Sequence, residues 1–177
     1  MQLLLRFVFG VLISIYLTVG AIGQPVKLHE MWVKTYGKWR AVLYQNHENS
    51  KLFCAAETKG DIKAQFRIVN YFSGDSFIEV FGLGLKVKLN NPTQSISKKF
   101  TFKFDGDKTI RLVGGIDEFS IYYDLKDESE TKYIYERLSE KKTLIVFDDN
   151  EKIEAKFSLS GSGKAIKRML QCIKEKG

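Results

Sequence analysis

Residues 153–172, IEAKFSLSGSGKAIKRMLQC, constrain the fold more than any other stretch of the chain. Ile153, Ala155, Phe157 and Leu159 alternate with Glu154, Lys156, Ser158 and Ser160, and a period of two describes a strand with one buried face. Gly161 releases the chain, and Ser162 is placed to cap a helix. Beyond it Ala165, Ile166, Met169, Leu170 and Ile173 recur at helical spacing, with Lys164, Lys167, Arg168 and Lys174 between them. Ala165, Ile166, Met169 and Leu170 are expected to pack inward while the four basic residues project to solvent. Cys172 falls in the last turns of this helix.

The other end of the chain reads as a secretory signal over residues 1–23. Arg6 is its only charge, Phe7 to Val19 is apolar, and Ala21-Ile22-Gly23 offers small residues for cleavage before Gln24, with cleavage after Ala21 as a second option. The apolar run, Phe7 to Ile22, is shorter than the roughly 20 residues that span a bilayer. An exported protein, periplasmic or secreted, is therefore expected, with no transmembrane segment after cleavage and one β-rich domain over residues 24–177. Without the signal, 27 basic residues face 21 carboxylates, a net +6. An exported chain with two cysteines points to one disulfide, Cys54–Cys172.

Between these ends the pattern is mostly β. Residues 24–34 hold Pro25 and no sustained period, and read as an arm or short edge segment. Trp39, Ala41 and Leu43 alternate with Arg40, Val42 and Tyr44, and Leu52 to Ala56 is a second apolar run. Phe66, Ile68 and Asn70 oppose Arg67, Val69 and Tyr71. Phe77 to Phe81 follows, and then Leu83, Leu85, Val87 and Leu89 alternate with Gly84, Lys86 and Lys88. Asn90-Asn91-Pro92 reads as a turn, Phe100, Phe102 and Phe104 as one face of a strand, and Asp105-Gly106-Asp107 as a hairpin connection. Thr109 to Val113 is the returning strand, Gly114-Gly115 a turn, and Phe119, Ile121 and Tyr123 a further strand. Glu130 to Lys141 lacks Gly and Pro and sets Ile134 and Leu138 at i, i+4, which predicts a short helix near 130–141. Thr143 to Phe147 is a strand and Asp148-Asp149-Asn150 a turn. The whole predicts a mainly antiparallel β-sandwich or small barrel with that helix and a C-terminal amphipathic one.

The sequence offers little to a catalyst. His29 and His47 stand in the arm and a polar loop, beside no cysteine or serine motif, and read as surface histidines. The nearest acidic cluster, Asp148-Asp149 with Glu151, reads as turn chemistry rather than a metal site. Gly161-Ser162-Gly163-Lys164 resembles a phosphate-binding loop but has Ser158 where the first glycine belongs and Ala165 where a magnesium-binding hydroxyl belongs. No cofactor is expected. Among 13 Phe and 8 Tyr most sit on alternating strand positions that face a core, and Tyr122, Tyr133 and Tyr135 are the candidates for an exposed interface. Nucleic acid is not expected as a partner: in Lys99-Phe100-Thr101-Phe102-Lys103-Phe104 the rings face away from the lysines.

Tyr36-Gly37-Lys38-Trp39 near the start, Cys54-Ala55 some fifteen residues on, a short helix, and FSLSGSGKAIKRMLQC at the end resemble the invasion-associated locus B family of alphaproteobacterial exported proteins. The positions that carry the resemblance are Tyr36, Gly37, Trp39, Ser158, Leu159, Gly161, Ala165 and Ile166. The match is to a subgroup with one N-terminal and one C-terminal cysteine. It implies a part in host-cell invasion and no known chemistry. The expected function is a non-enzymatic interaction protein, host-associated or envelope-related, with an unidentified protein partner. The alternatives are a periplasmic enzyme whose site no local motif reveals, or an electrostatic binder of anionic lipid or polysaccharide. The basic face of the last helix, Lys164, Lys167, Arg168 and Lys174, would carry that binding, with a membrane surface as one target.

Overall fold

The periodicities above become ten strands and two helices in a computed structural model that describes residues 28–83, 96–116, 120–147 and 153–176. The expectations for residues 1–27, for the strand through Leu85, Val87 and Leu89, for the Asn90-Asn91-Pro92 turn, for Phe119 and for the acidic group Asp148, Asp149 and Glu151 lie outside the described residues. The strands are β1 (Leu28–Tyr36), β2 (Trp39–Asn46), β3 (Leu52–Lys59), β4 (Gln65–Tyr71), β5 (Ser76–Phe81), β6 (Ile96–Phe104), β7 (Ile110–Ile116), β8 (Ser120–Asp124), β9 (Thr143–Phe147) and β10 (Ile153–Ser158). Helix α1 (Glu128–Glu140) lies between β8 and β9, and α2 (Ser162–Lys176) follows β10. All strands form one antiparallel sheet in the order β1-β2-β3-β4-β5-β8-β7-β6-β9-β10. The chain is thus mainly antiparallel β with one short and one C-terminal helix.

The order is linear, yet the two ends of the sheet meet. The indole Nε1 of Trp39 donates to Ser158 O at 2.8 Å, Lys38 N to Ser160 O at 3.1 Å, and Asp61 N to Lys156 O at 3.1 Å. The end of β10 and the turn after it therefore lie against the β1–β2 and β3–β4 turns, and the sheet curls around its core as a barrel does. Phe66 is the hub of that core. Its ring contacts Trp39, Phe102 and Phe157 at centroid distances of 5.6–5.8 Å, which joins β2, β4, β6 and β10. Phe100, Phe102 and Phe104 all face this interior, while Lys103 is exposed. Aromatic rings in such tilted contacts contribute about 0.5–1.5 kcal/mol per pair beyond their burial.

Helix α2 covers the inner row of β2, β3 and β4. Leu43, Cys54 and Asn70 are directly paired across these strands. Cys54 bonds to Cys172 with Cα atoms 6.2 Å apart, across a sequence separation of 118. Asn70 Nδ2 donates to Tyr135 Oη (3.2 Å) and to Met169 Sδ (3.3 Å), so one side chain holds both helices. Helix α1 begins one residue past the Asp127 cap, whose carboxylate accepts from Glu130 N, and buries Ile134 and Leu138 as the spacing predicts.

Three expectations need correction, and one left between two readings is decided. Gly114-Gly115 is not a turn: both residues lie inside β7. A Cβ at Gly115 would sit 2.1 Å from Tyr122 Cζ, and one at Gly114 2.3 Å from Tyr122 O, so the glycines make room for β8 rather than bend the chain. Of the two readings for residues 24–34, an arm or a short edge segment, the second holds from Leu28 on, where the chain forms a nine-residue edge strand reaching Tyr36; a bulge between Glu30 and Trp32 breaks its period. Leu170, expected inward, is 38% exposed. Ser162 is fully buried, and its hydroxyl donates to Leu138 O and Leu159 O instead of accepting at the helix start. Tying α1 to α2 in this way outweighs capping: Leu159 O already accepts from Ser162 N, and the hydroxyl supplies a donor to Leu138 O at the end of α1.

Closing a loop of this length restricts the unfolded chain by roughly 4–5 kcal/mol in the entropic treatment. Cys172→Ser is accordingly expected to lower the melting temperature by roughly 5–15 °C. Reductant should lower it in the parent protein and leave the variant unchanged, as differential scanning calorimetry would show. A second variant tests the closure itself. Gly161 has φ +95°, and a Cβ there would lie 1.9 Å from Tyr36 O. Gly161→Ala should cost about 2 kcal/mol or more in urea denaturation, with the loss concentrated where the turn after β10 meets the β1–β2 turn.

Candidate functional site

The bulge in β1 decides what this edge strand presents on each side. After it, Trp32, Lys34 and Tyr36 pair with Leu43, Ala41 and Trp39, whose side chains face the interior and α2. Before it, Glu30 pairs with Tyr44 and joins the opposite face. Two residues that strict alternation would put on one side are thereby separated. Trp32, Lys34 and Tyr36 then form one wall of a groove, and Lys164, Lys167, Arg168 and Gln171 of α2 form the other.

This groove has a volume of about 510 Å³. The Arg168 guanidinium lies 4.6 Å from the Trp32 ring centroid, and Lys34 Nζ lies 5.8 Å from that of Tyr36. Each ring face thus attracts a cation through its quadrupole. Glu175 is the groove's carboxylate; it accepts from Arg168 at 3.0 Å and from Gln171 at 2.8 Å. Lys34, Lys164 and Lys167 are exposed and form no ion pair among the described residues. Four cations against one carboxylate leave the groove strongly positive. A second cavity, about 560 Å³, continues from it through Tyr36 and Lys164 to Gly37, Ser160, Gly161 and Gly163.

Of the basic residues expected on the last helix, the structure gathers Lys164, Lys167 and Arg168 into this groove. Arg168 is engaged with Trp32 and Glu175 rather than free. Lys174 is exposed on the flank that faces α1. The residues that carry the family resemblance lie together for a structural reason. Tyr36 and Gly37 meet Gly161 in close backbone contact, Trp39 bonds Ser158 O, and Leu159, Ala165 and Ile166 are buried below. Tyr36, Gly37, Trp39, Ser158 and Gly161 fasten the two ends of the sheet, and Tyr36, Gly37, Leu159 and Gly161 line the second cavity. Tyr122 packs on Gly115, Tyr133 is exposed beneath Arg137 (4.9 Å), and Tyr135 is anchored through Asn70. His29 and His47 are exposed, with ring centroids 5.8 Å apart. Among the described residues no three His, Cys, Asp or Glu side chains converge as metal ligands, and no helix is long and apolar enough to cross a membrane.

The outer face of the sheet holds a constellation that the sequence reading missed. The Glu57 side chain is only 2% exposed. Its Oε1 accepts from Arg40 and from Tyr44 Oη (3.0 Å), and its Oε2 from Arg67 Nε (2.9 Å) and Gln65 Nε2 (3.0 Å). Arg40 also reaches Glu30 (2.9 Å), and Arg67 lies 5.1 Å from the Tyr44 ring and 5.0 Å from the Phe81 ring. Burial pushes the Glu57 carboxyl up, but the Arg67 charge and the Arg40 hydrogen bond outweigh it and hold the group below its ordinary value. Burial, then the Glu57 charge, push the Tyr44 phenol well above its usual range. The signal was present in sequence: Glu57 ends an apolar run, and Arg40 and Arg67 alternate with core residues on two other strands. What could not be read was that pairing brings all three into register.

Because Glu57 titrates lower in the folded than in the unfolded chain, its contribution to stability is present above its ordinary pKa of 4.5. It is lost as pH falls through the lower folded value. Thermal stability should therefore drop as pH falls below about 4. Glu57→Gln should cost about 2 kcal/mol at neutral pH, since it removes the buried charge that Arg40 and Arg67 share and leaves them only Glu30 and Glu79, and should flatten the acid dependence in a melting series from pH 7 to 2.

Comparison of the chain with protein-family models, with curated proteins and with solved structures returns no match.

Proposed function

We propose that this chain is an exported, non-catalytic binding protein of the invasion-associated type, and that the groove between β1 and α2 takes an anionic partner. The observation that carries this reading is the convergence of Lys34, Lys164, Lys167 and Arg168 with Trp32 and Tyr36 on rigid elements. One wall is a strand of the sheet, and the other is a helix that a disulfide fixes to the same sheet. Cations held in a concavity raise the local concentration of anions more than the same charges spread over a convex surface. An extended acidic polysaccharide of an envelope or host surface suits the groove best. Its carboxylate or sulfate groups meet the cations, and its sugar faces meet the flat rings. A flat bilayer would reach only the rim. The disulfide supports an oxidising compartment, as export requires. Glu57, Arg40 and Arg67 neutralise one another and line none of the cavities described, so no specific observation favours a catalytic reading.

Isothermal titration of the oxidised chain with a polyuronate such as alginate, and co-sedimentation with vesicles of anionic phospholipid, distinguish the targets. Binding of the polyuronate should be tighter. It should weaken steeply from low to physiological ionic strength, where the Debye length falls to about 8 Å. Lys34→Glu with Lys164→Glu should reduce it at least tenfold while the melting temperature holds. Preference for vesicles would replace the polysaccharide with a membrane surface, and indifference to the double variant would remove the groove as the site.

A further inference from the structure

The face formed by α1 and α2 has a second groove, which shares only Lys167 and Gln171 with the groove between β1 and α2. The helices run antiparallel: Ser162 bonds Leu138 O, Gly163 lies against Ser139, and Tyr135 and Met169 share Asn70. Between them lies an apolar trough of about 760 Å³ with Tyr135, Ile166 and the exposed Leu170 along its floor. Its two rims carry opposite charge. The α1 rim has Glu128, Glu136 and Glu140 with Lys132, and the α2 rim has Lys167 and Lys174. No ion pair crosses the trough among the described residues: Glu140 pairs with Arg137 on its own helix, and Glu128, Glu136, Lys167 and Lys174 form none.

The geometry points to a weak symmetric dimer in which this face packs on the same face of a second copy of the chain, about a two-fold axis running along the trough. The charges select that axis. A two-fold along the trough sets the acidic α1 rim of each copy over the basic α2 rim of the other. A two-fold across it would set like charges together. Because the helices are antiparallel, Glu136 stands level with Lys167, and Glu128 with Lys174. All four pairings are therefore satisfied at once, as an isologous interface requires. Leu170 of the two copies closes the centre. Helix α1 has 13 residues. At 1.5 Å per residue and about 10 Å per helix width the face is roughly 20 Å by 20 Å. That is roughly 400 Å² per copy, about half of a standard stable interface, so the dimer is transient and concentration-dependent.

Sedimentation velocity over a concentration series of the oxidised chain, without ligand, tests this. The parent protein should pass from monomer toward dimer as concentration rises. Glu136→Lys and Lys167→Glu should each remain monomeric over the same range, with unchanged melting temperatures. Their equimolar mixture should regain the dimer, since both rims then match in the mixed pair, and the chain carrying both substitutions should dimerise with itself. A parent protein that stays monomeric throughout overturns the proposal, as do assemblies larger than a dimer. Dimerisation that survives either single reversal, or that fails to return in the mixture, also overturns it.

Discussion

The structure depends on holding the end of its last strand and the turn after it against its first hairpin. A ten-stranded antiparallel sheet has two edges, and open edges are both unstable and prone to pair with other chains. Here the hydrogen bonds from Trp39, Lys38 and Asp61 to the backbone of residues 156–160 draw the ends together. Gly161 permits this because its backbone approaches Tyr36 O more closely than any side chain would allow. The disulfide then fixes α2 over the inner face of β2–β4. Each device supports the next: the turn sets the direction of α2, and α2 buries the cysteine pair.

This closure makes the candidate site rigid. The groove between β1 and α2 exists only because the edge strand and the closing helix are both tied to the same core. Three of its cations, Lys164, Lys167 and Arg168, lie on the helix face left after Ala165, Ile166, Met169 and Cys172 have turned inward. A groove formed by loops would lose entropy when it ordered around a ligand; one formed by a strand and a cross-linked helix loses little. Charge on the opposite face has a different role. Glu57 is neutralised by Arg40 and Arg67, so it contributes a fixed network rather than a reactive group.

The two faces of β1 show how one backbone irregularity divides these roles. The bulge between Glu30 and Trp32 sends the carboxylate outward to Arg40 and the indole inward to Arg168. Without it, both side chains would lie on the same side of the sheet. The basic groove would then hold another carboxylate and the outer network would lose one.

Much of the fold was legible in the sequence because it rests on local periodicity. The alternation of Phe100, Phe102 and Phe104, the spacing of Ile134 and Leu138, and the strand-turn-helix ending all follow from side-chain geometry within a few residues. The pairing of Cys54 with Cys172 followed from their number and from the export expected of the N-terminal segment. What tertiary structure alone decided is what depends on register between distant strands. No local window shows that Gly114 and Gly115 lie within a strand beneath Tyr122, or that residues 28–36 have two phases joined by a bulge. Nor does one show that Leu170 faces away from the core, or that Glu57 meets two arginines. Each depends on which strands become neighbours, and that is set by burial and hydrogen bonding summed over the whole chain.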